Sequence, residues 1–424
     1  GVADGDPALP LYRELGFAFP RALDGEFALA LVDFNANEII LSTDVFGTKP
    51  LWYSVHRVAE QPRIALSTYE SALLRLGFPR RRIKMVDPNC ILRVSLDHGE
   101  NFGSIIERRA VYEFDLRQFK TSTADFISAF QASVEKRTSG LHPSFIGLSS
   151  GYDSGAIHLA LHIQSKRHFS FAIYGEESIG ILQERIAHTT LTSETALIVF
   201  ANADFETERR WLARHGEHFD YLATNLTGQL SVIDDQASSG LSYVMRLSRD
   251  RGALVYLSGS GADEVLSDYG FQGQRLCSQS SFGGLFPANL SDIFPWSEFF
   301  LSSQRDYLMK EELVAGSHGM EGRYPFLDTR VVQEFLWLSS ELKNSEYKVA
   351  IHDFFREHGY PFERGKKQGF AAGANHFADL IGSEGGGVRV GEEADLDRLT
   401  MVMRYNRHED PQCGTIAAGP GTKS

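Results

Sequence analysis

Two short segments of the chain carry the residue types needed to hold a phosphate chain. Ser149-Ser150-Gly151-Tyr152-Asp153-Ser154 follows the apolar run 144–148, which reads as a buried strand, and precedes 155–163, which reads as a helix. A loop that leaves a strand and opens a helix aims several backbone N–H groups one way, and the helix N-terminus adds partial positive charge. The serine hydroxyls add donors, Gly151 lets the backbone approach closely, and Asp153 offers a hard oxygen to Mg2+. Taken alone, the segment fits equally a plain turn in which Ser and Asp cap a helix.

A second segment, Leu257-Ser258-Gly259-Ser260-Gly261-Ala262-Asp263-Glu264, repeats the arrangement after the strand-like run 252–257. Two such loops in one domain can close on one nucleotide, with Asp153 and Asp263 sharing a metal on its phosphates. The plainer reading of Asp263 and Glu264 is a pair of first-turn carboxylates facing a helix dipole.

The elements that position these loops are legible in outline. Residues 22–56 read as strands and turns: Phe27 to Val32 as a fully buried strand, 35–37 as a turn, 38–42 as a second strand, with 64–67 and 91–94 as further strands. The character changes near residue 115. Phe126, Ile127, Phe130 and Val134 recur at helical spacing, with Ser122 or Thr123 available as a cap. The later alternation of strand, small-residue loop and helix implies a parallel α/β sheet with ligands at the carboxyl ends of its strands. The glycine-rich segment 382–387 reads as a loop, and the stretch from about Asp410 lacks periodicity and reads as disordered.

Bulk properties exclude some classes. A chain of 424 residues has room for two or three domains. A net charge of −13 argues against nucleic-acid binding, and no apolar run is long enough to span a bilayer. Arg80-Arg81-Arg82 reads as a solvated turn. Three scattered cysteines, Cys90, Cys277 and Cys413, fit reduced thiols in a cytoplasmic setting. The chain starts at Gly1 without a charged-then-apolar leader, as a processed chain or a fragment would.

Taken together and in order, these segments resemble the class B, glutamine-hydrolysing asparagine synthetase family. The first loop is similar to the S-G-G-x-D-S signature of ATP pyrophosphatases (the PP-loop), and the second to the family's L-S-G-E-G-x-D-E. His318-Gly319-Met320-Glu321-Gly322-Arg323-Tyr324-Pro325-Phe326-Leu327-Asp328 resembles G-x-E-x-R-x-P-F-L-D, Tyr347-Lys348 begins a segment like K-x-x-L-R, and Lys367-Gln368-Gly369-Phe370 resembles K-x-G-F. Upstream, 23–30 and 44–51 resemble the later half of the family's glutaminase domain. The resemblance implies an α/β synthetase domain of ATP-pyrophosphatase (PP-loop, adenine nucleotide alpha hydrolase-like) type with a parallel sheet over 116–385. A partial β-rich Ntn-type glutaminase domain (α+β) would precede it over 1–115, and a partly disordered tail would follow over 386–424.

The resemblance also implies chemistry: adenylation of the aspartate side chain with ATP and Mg2+, release of pyrophosphate, and displacement of AMP by ammonia. By the same resemblance Leu148, Ile173, Ser258 and Gly259 contact the adenosine part, while Ser149, Ser150, Gly151 and Ser154 hold pyrophosphate. Asp153 and Asp263 bind Mg2+, with Asp263 also taking part in catalysis, and Lys367 offsets charge on the phosphates. Arg323 and Asp328 support the site, with structural ion pairing as the plainer role. The implied partners are small molecules (aspartate or another carboxylate, glutamine or ammonia), without nucleic acid or membrane, and with a homodimer as one admissible assembly.

Three departures bear on the finer activity. Ser150 stands where the signature has glycine, so a position needing positive φ would be restricted. Ser260 stands where the family has a glutamate associated with the amine step, and serine unaided is no general base at neutral pH. The nucleophilic cysteine, arginine loop and Asn-Gly-Glu segment of the glutaminase are absent, Thr68 replaces a glutamate, and only Asp4 sits where the family binds glutamine. The chain as it stands is therefore expected not to hydrolyse glutamine by that route. Alternatives are a lactam-synthetase-like ligase acting on another carboxylate, or a non-catalytic nucleotide-binding relative. His158 and His162, Glu176-Glu177, and the aromatic group Phe294, Trp296, Phe299 and Phe300 read respectively as a satisfied histidine pair, a solvated turn, and core.

Overall fold

The computed structural model describes residues 5–58, 61–97, 101–140, 142–173, 177–188, 194–198, 202–222, 229–364, 401–404 and 416–418. The chain divides into two units, one of 1–115 with 295–309 and one of 116–294 with 310–424.

In the first unit, Ala28–Asp33, Glu38–Thr43, Ile91–Ser95 and Ile105–Arg109 form an antiparallel sheet in that order. The first hairpin closes because Asp33 accepts from the N–H groups of Asn35 and Ala36, and Asn37 takes the left-handed conformation at φ 51. A second sheet pairs Trp52–Val58 with Gln61–Ser67 and Lys84–Met85. Ile39, Leu41, Leu51, Tyr53, Val86, Cys90, Leu92 and Val94 make a shared core. Asp44 explains much of the 44–51 segment. Its buried carboxylate accepts from Phe46 N, Thr48 N and, at 2.6 Å, Thr48 Oγ1, which fixes the turn at Gly47. The expected fully buried strand at 27–32 is instead half-covered, alternating exposed and intermediate residues. Apolar composition alone does not report what covers a strand. Trp296 and Phe299 are core, with Phe299 and Phe300 packed on Phe46 and Phe114.

The second unit is built on one sheet. Its order is Glu321–Arg323, Val255–Leu257, Ser144–Gly147, His168–Ile173, Glu194–Ile198, Met401–Arg404 and Ile416–Ala418. The first five strands are parallel, and the last two join antiparallel. Ranked by chain position, the parallel strands lie in the order 5-4-1-2-3. Strand order therefore reverses between Ser144–Gly147 and Val255–Leu257, and a crevice forms at the carboxyl ends of strands at such a reversal. The two acid-bearing loops leave those two strands. Helix Ala124–Arg137 packs on Thr329–Trp337 and Val349–Glu357. Thr123 is the N-cap residue but gives no side-chain cap, since its hydroxyl donates to Asp353; Ser122 Oγ accepts from Ala124 N instead. No helix among the described residues is long and apolar enough to cross a membrane.

Candidate functional site

The first loop is tied down by its own polar groups. Ser154 Oγ accepts from Ser149 N at 3.0 Å and lies 2.7 Å from Ser149 Oγ, which in turn accepts from Gly151 N at 3.1 Å. None of residues 149–154 adopts positive φ, so Ser150 tolerates its Cβ. Its side chain has a use: Ser150 Oγ donates to Glu177 and accepts from Ser178 N. Glu177 also accepts from Ser150 N at 2.6 Å and is buried. This corrects the solvated-turn reading of Glu177; Glu176 lies outside the described residues.

Beneath the loop, the fully buried Arg185 donates from Nη1 to the carbonyls of Ser149 at 2.5 Å and Gly151 at 2.8 Å. Gly155 makes room for it, since a Cβ there would meet guanidinium atoms at 2.6–2.7 Å. The loop thus has an anionic group on one of its N–H donors and a cation under its carbonyls.

The second loop touches the first. A Cβ on Gly259 would lie 2.9 Å from Asp153 Cβ, so only glycine permits this approach. Gly261 has φ +97, and Leu327 closes the space where a side chain would go. Glu264 accepts from Gly261 N at 2.9 Å and from the Tyr269 hydroxyl. Leu148, Ile173 and Ser258 sit buried at the carboxyl ends of three parallel strands. The structure therefore brings together Leu148, Ser149, Ser150, Gly151, Asp153, Ser154, Ile173, Ser258, Gly259 and Asp263. Asp4 and Lys367 lie outside the described residues.

The two acids meet on one cation. Lys348 Nζ is 2.5 Å from Asp153 Oδ1 and 2.7 Å from Asp263 Oδ1, and the Tyr347 hydroxyl donates to Asp263 at 3.2 Å. Lys348 starts helix Val349–Glu357 in the left-handed conformation, φ 47 and ψ 51. Burial works against its charge, but the two carboxylates outweigh that and hold its pKa well above the ordinary lysine range. Sequence matching had located Lys348 without giving it a role. Glu311 was missed altogether. It accepts from Ser260 Oγ at 3.1 Å, and burial pushes its carboxyl up to about 7 against the pull of Ser258, Lys310 and Ser260.

Other candidates are structural. Arg323 donates to Arg137 O at 2.6 Å and pairs with Glu321, while Asp328 pairs with Lys136 and Arg137 at 2.6 and 3.0 Å. His158 Nδ1 lies 2.7 Å from the Tyr360 hydroxyl, and no group of three or more metal-ligating side chains occurs among the described residues. Cys90 and Cys277 are buried and not joined in a disulfide.

With this geometry in view, the relatives are informative. Residues 1–75 match the glutamine amidotransferase domain family, and residues 125–299 match the asparagine synthase family. The chain is 25% identical to the glutamine-hydrolyzing asparagine synthetase 1 named in Methanocaldococcus jannaschii, over 81% of this chain and 61% of that protein. It is 22% identical to the glutamine-hydrolyzing asparagine synthetase 2 of Bacillus subtilis, over 86% and 59%. It is 22% identical to the Gallus gallus asparagine synthetase, over 84% and 64%. The chain thus spans about three fifths of the length of these relatives.

Proposed function

Because the chain belongs to the glutamine-hydrolysing asparagine synthetase family, we propose that it is an ATP-dependent carbon–nitrogen ligase: it adenylates a carboxylate, releases pyrophosphate, and passes the acyl group to an amine. The carboxylate is the aspartate side chain, and the amine is ammonia. Residues 116–385, apart from 295–309, which group with the first unit, are the synthetase part. Residues 1–115 are the later part of an Ntn-type amidotransferase domain, a reading supported by the match over 1–75 and by the antiparallel strands there. Glutamine serves as nitrogen source where a cysteine-bearing catalytic half precedes these residues.

One observation carries the reading. Two acid-bearing loops at the reversal of a parallel sheet touch each other through Gly259, and their carboxylates converge on a single point. That point is taken by the Lys348 ammonium, and the two carboxylates around it are hard oxygen donors of the kind Mg2+ prefers. Two carboxylates fall short of filling an octahedral shell, as expected of a site completed by phosphate oxygens and water. Asp153 and Asp263 would hold Mg2+, which supplies charge neutralisation on the departing pyrophosphate. The chain's own residues do the rest. The 149–154 loop offers backbone N–H groups and hydroxyls to pyrophosphate once Ser150 N leaves Glu177 and the donors held within the loop, Ser149 N on Ser154 and Gly151 N on Ser149, turn outward. Leu148, Ile173 and Ser258 border the adenosine. The Lys348 ammonium orients both acids and faces the phosphates with positive charge, a task shared with Lys367.

The test is product analysis with ATP, Mg2+, L-aspartate and ammonium. AMP and pyrophosphate should form in step with aspartate consumed, and Asp153→Asn should abolish both. ADP as product, or turnover indifferent to aspartate, would refute the reading. Nucleotide binding without turnover in the parent would favour the non-catalytic alternative.

A further inference from the structure

Amide formation needs a proton acceptor, because an attacking amine must lose a proton to become an amide nitrogen. The carboxylates around the two loops can be sorted by what already holds them. Asp153 and Asp263 are tied to Lys348, and Glu177 to Ser150. Glu264 is engaged by Gly261 N and Tyr269. Glu311 differs. It lies in helix Ser303–Ser317, its Oε1 accepts from the hydroxyl of Ser260, and Ser260 sits at the tip of the second loop between Gly259 and Gly261. Ser260 N is itself held by Ser258 Oγ at 3.0 Å, which fixes the loop against the carboxylate.

On this geometry, and resting on the adenylation reading above, we propose that Glu311, acting through the Ser260 hydroxyl, receives the proton released when the amine attacks the acyl-adenylate. The nitrogen bonds to the acyl carbon. Ser260 Oγ takes one N–H proton as its own hydroxyl proton passes to Glu311 Oε1. The bond from the acyl carbon to the AMP oxygen then breaks, its electron pair leaves with AMP, and Glu311 later yields the proton to water. A lone serine is too weak a base for this; a serine leaning on a buried carboxylate is not.

The acidity of Glu311 fits the task. Burial brings its pKa to about 7, where it alternates between acceptor and donor near neutral pH. Besides burial, the groups that set it are Ser258, Lys310 and Ser260, which lower it, and Glu312, which raises it; the Tyr256 hydroxyl hydrogen-bonds to the same carboxylate.

The experiment separates the two half-reactions. Aspartate-dependent exchange of labelled pyrophosphate into ATP reads adenylation, and ammonium-dependent asparagine formation reads the amine step. In Glu311→Gln, which keeps the shape and a hydrogen-bonding oxygen, exchange should stay within about twofold while asparagine formation falls on the order of 10²-fold or more. The acid limb near pH 7 in the parent's asparagine-forming rate should vanish in the variant. Ser260→Ala should reproduce the loss in the amine step with exchange intact, which covers the case of a Glu311 variant that fails to fold. Unchanged asparagine formation in either variant overturns the relay and leaves adenylation standing, as does a parallel fall of both half-reactions in Ser260→Ala. No exchange in the parent overturns the adenylation reading and this inference with it.

Discussion

Replacing Lys348 by Met tests the centre of the site. Met keeps the length of the side chain and inherits the same left-handed backbone at φ 47, so the strain of that conformation cancels in the comparison. What changes is the charge. Removing one partner of a buried ion pair costs about 3–5 kcal/mol, because the remaining charge is left uncompensated. Here two carboxylates are left facing each other. Their side chains keep 26% and 18% of their exposure, for Asp153 and Asp263, which places the cost near the low end at ~3 kcal/mol. For a unit of this size that corresponds to a fall in Tm of roughly 6–12 °C. The Lys348 pKa is raised on folding, so its contribution is fully present at neutral pH and is lost only as pH rises through the folded value. The deficit should therefore stay flat between about pH 6 and 9. Calorimetry with and without Mg2+ completes the assay. In the variant, Mg2+ without nucleotide should restore part of the lost Tm, since the two acids then need a cation; in the parent, the same addition should do less. A variant within about 1–2 °C of the parent, the thermal equivalent of roughly 0.5 kcal/mol, would refute the reasoning.

Glu177→Gln should tighten pyrophosphate binding several-fold by calorimetric titration, because a neutral amide competes less strongly than a carboxylate for Ser150 N; weaker binding would mean that Glu177 shapes the loop rather than competing for it. Asp328→Asn should destabilise the chain by about 2–4 kcal/mol at pH 7. Burial raises the Asp328 pKa, but Arg137 and Lys136 outweigh it and hold it below the ordinary value, so its contribution exists above the unfolded pKa and fades as pH falls through the folded one. Denaturation midpoints for parent and variant should accordingly converge in acid, and a gap that persists there would show that packing, not charge, makes the difference.

The two loops were legible from sequence because strand, small residues, acid and helix are neighbours along the chain. Their meeting was not. It depends on a strand order that sets Val255–Leu257 beside Ser144–Gly147, and parallel partners that far apart leave no local signature. The K-x-x-L-R match pointed to the right segment, but the role of Lys348 comes from a left-handed residue that turns the side chain toward two distant acids. Glu311 gave no signal at all, because it is one acid on a helix rich in charge, and only burial against Ser260 sets it apart. The same limit explains why 295–309 was not read as part of the first unit: composition does not change where the chain crosses over.

Arg185 and Gly155 have a consequence for how such a loop can diverge. The guanidinium that holds the carbonyls of Ser149 and Gly151 occupies the space any larger residue at 155 would need. Position 155 cannot gain a side chain by itself. A descendant that gains a side chain at 155 must first shorten residue 185, and in doing so it releases the backbone of its phosphate loop. The pair acts as an evolutionary ratchet on the loop's shape.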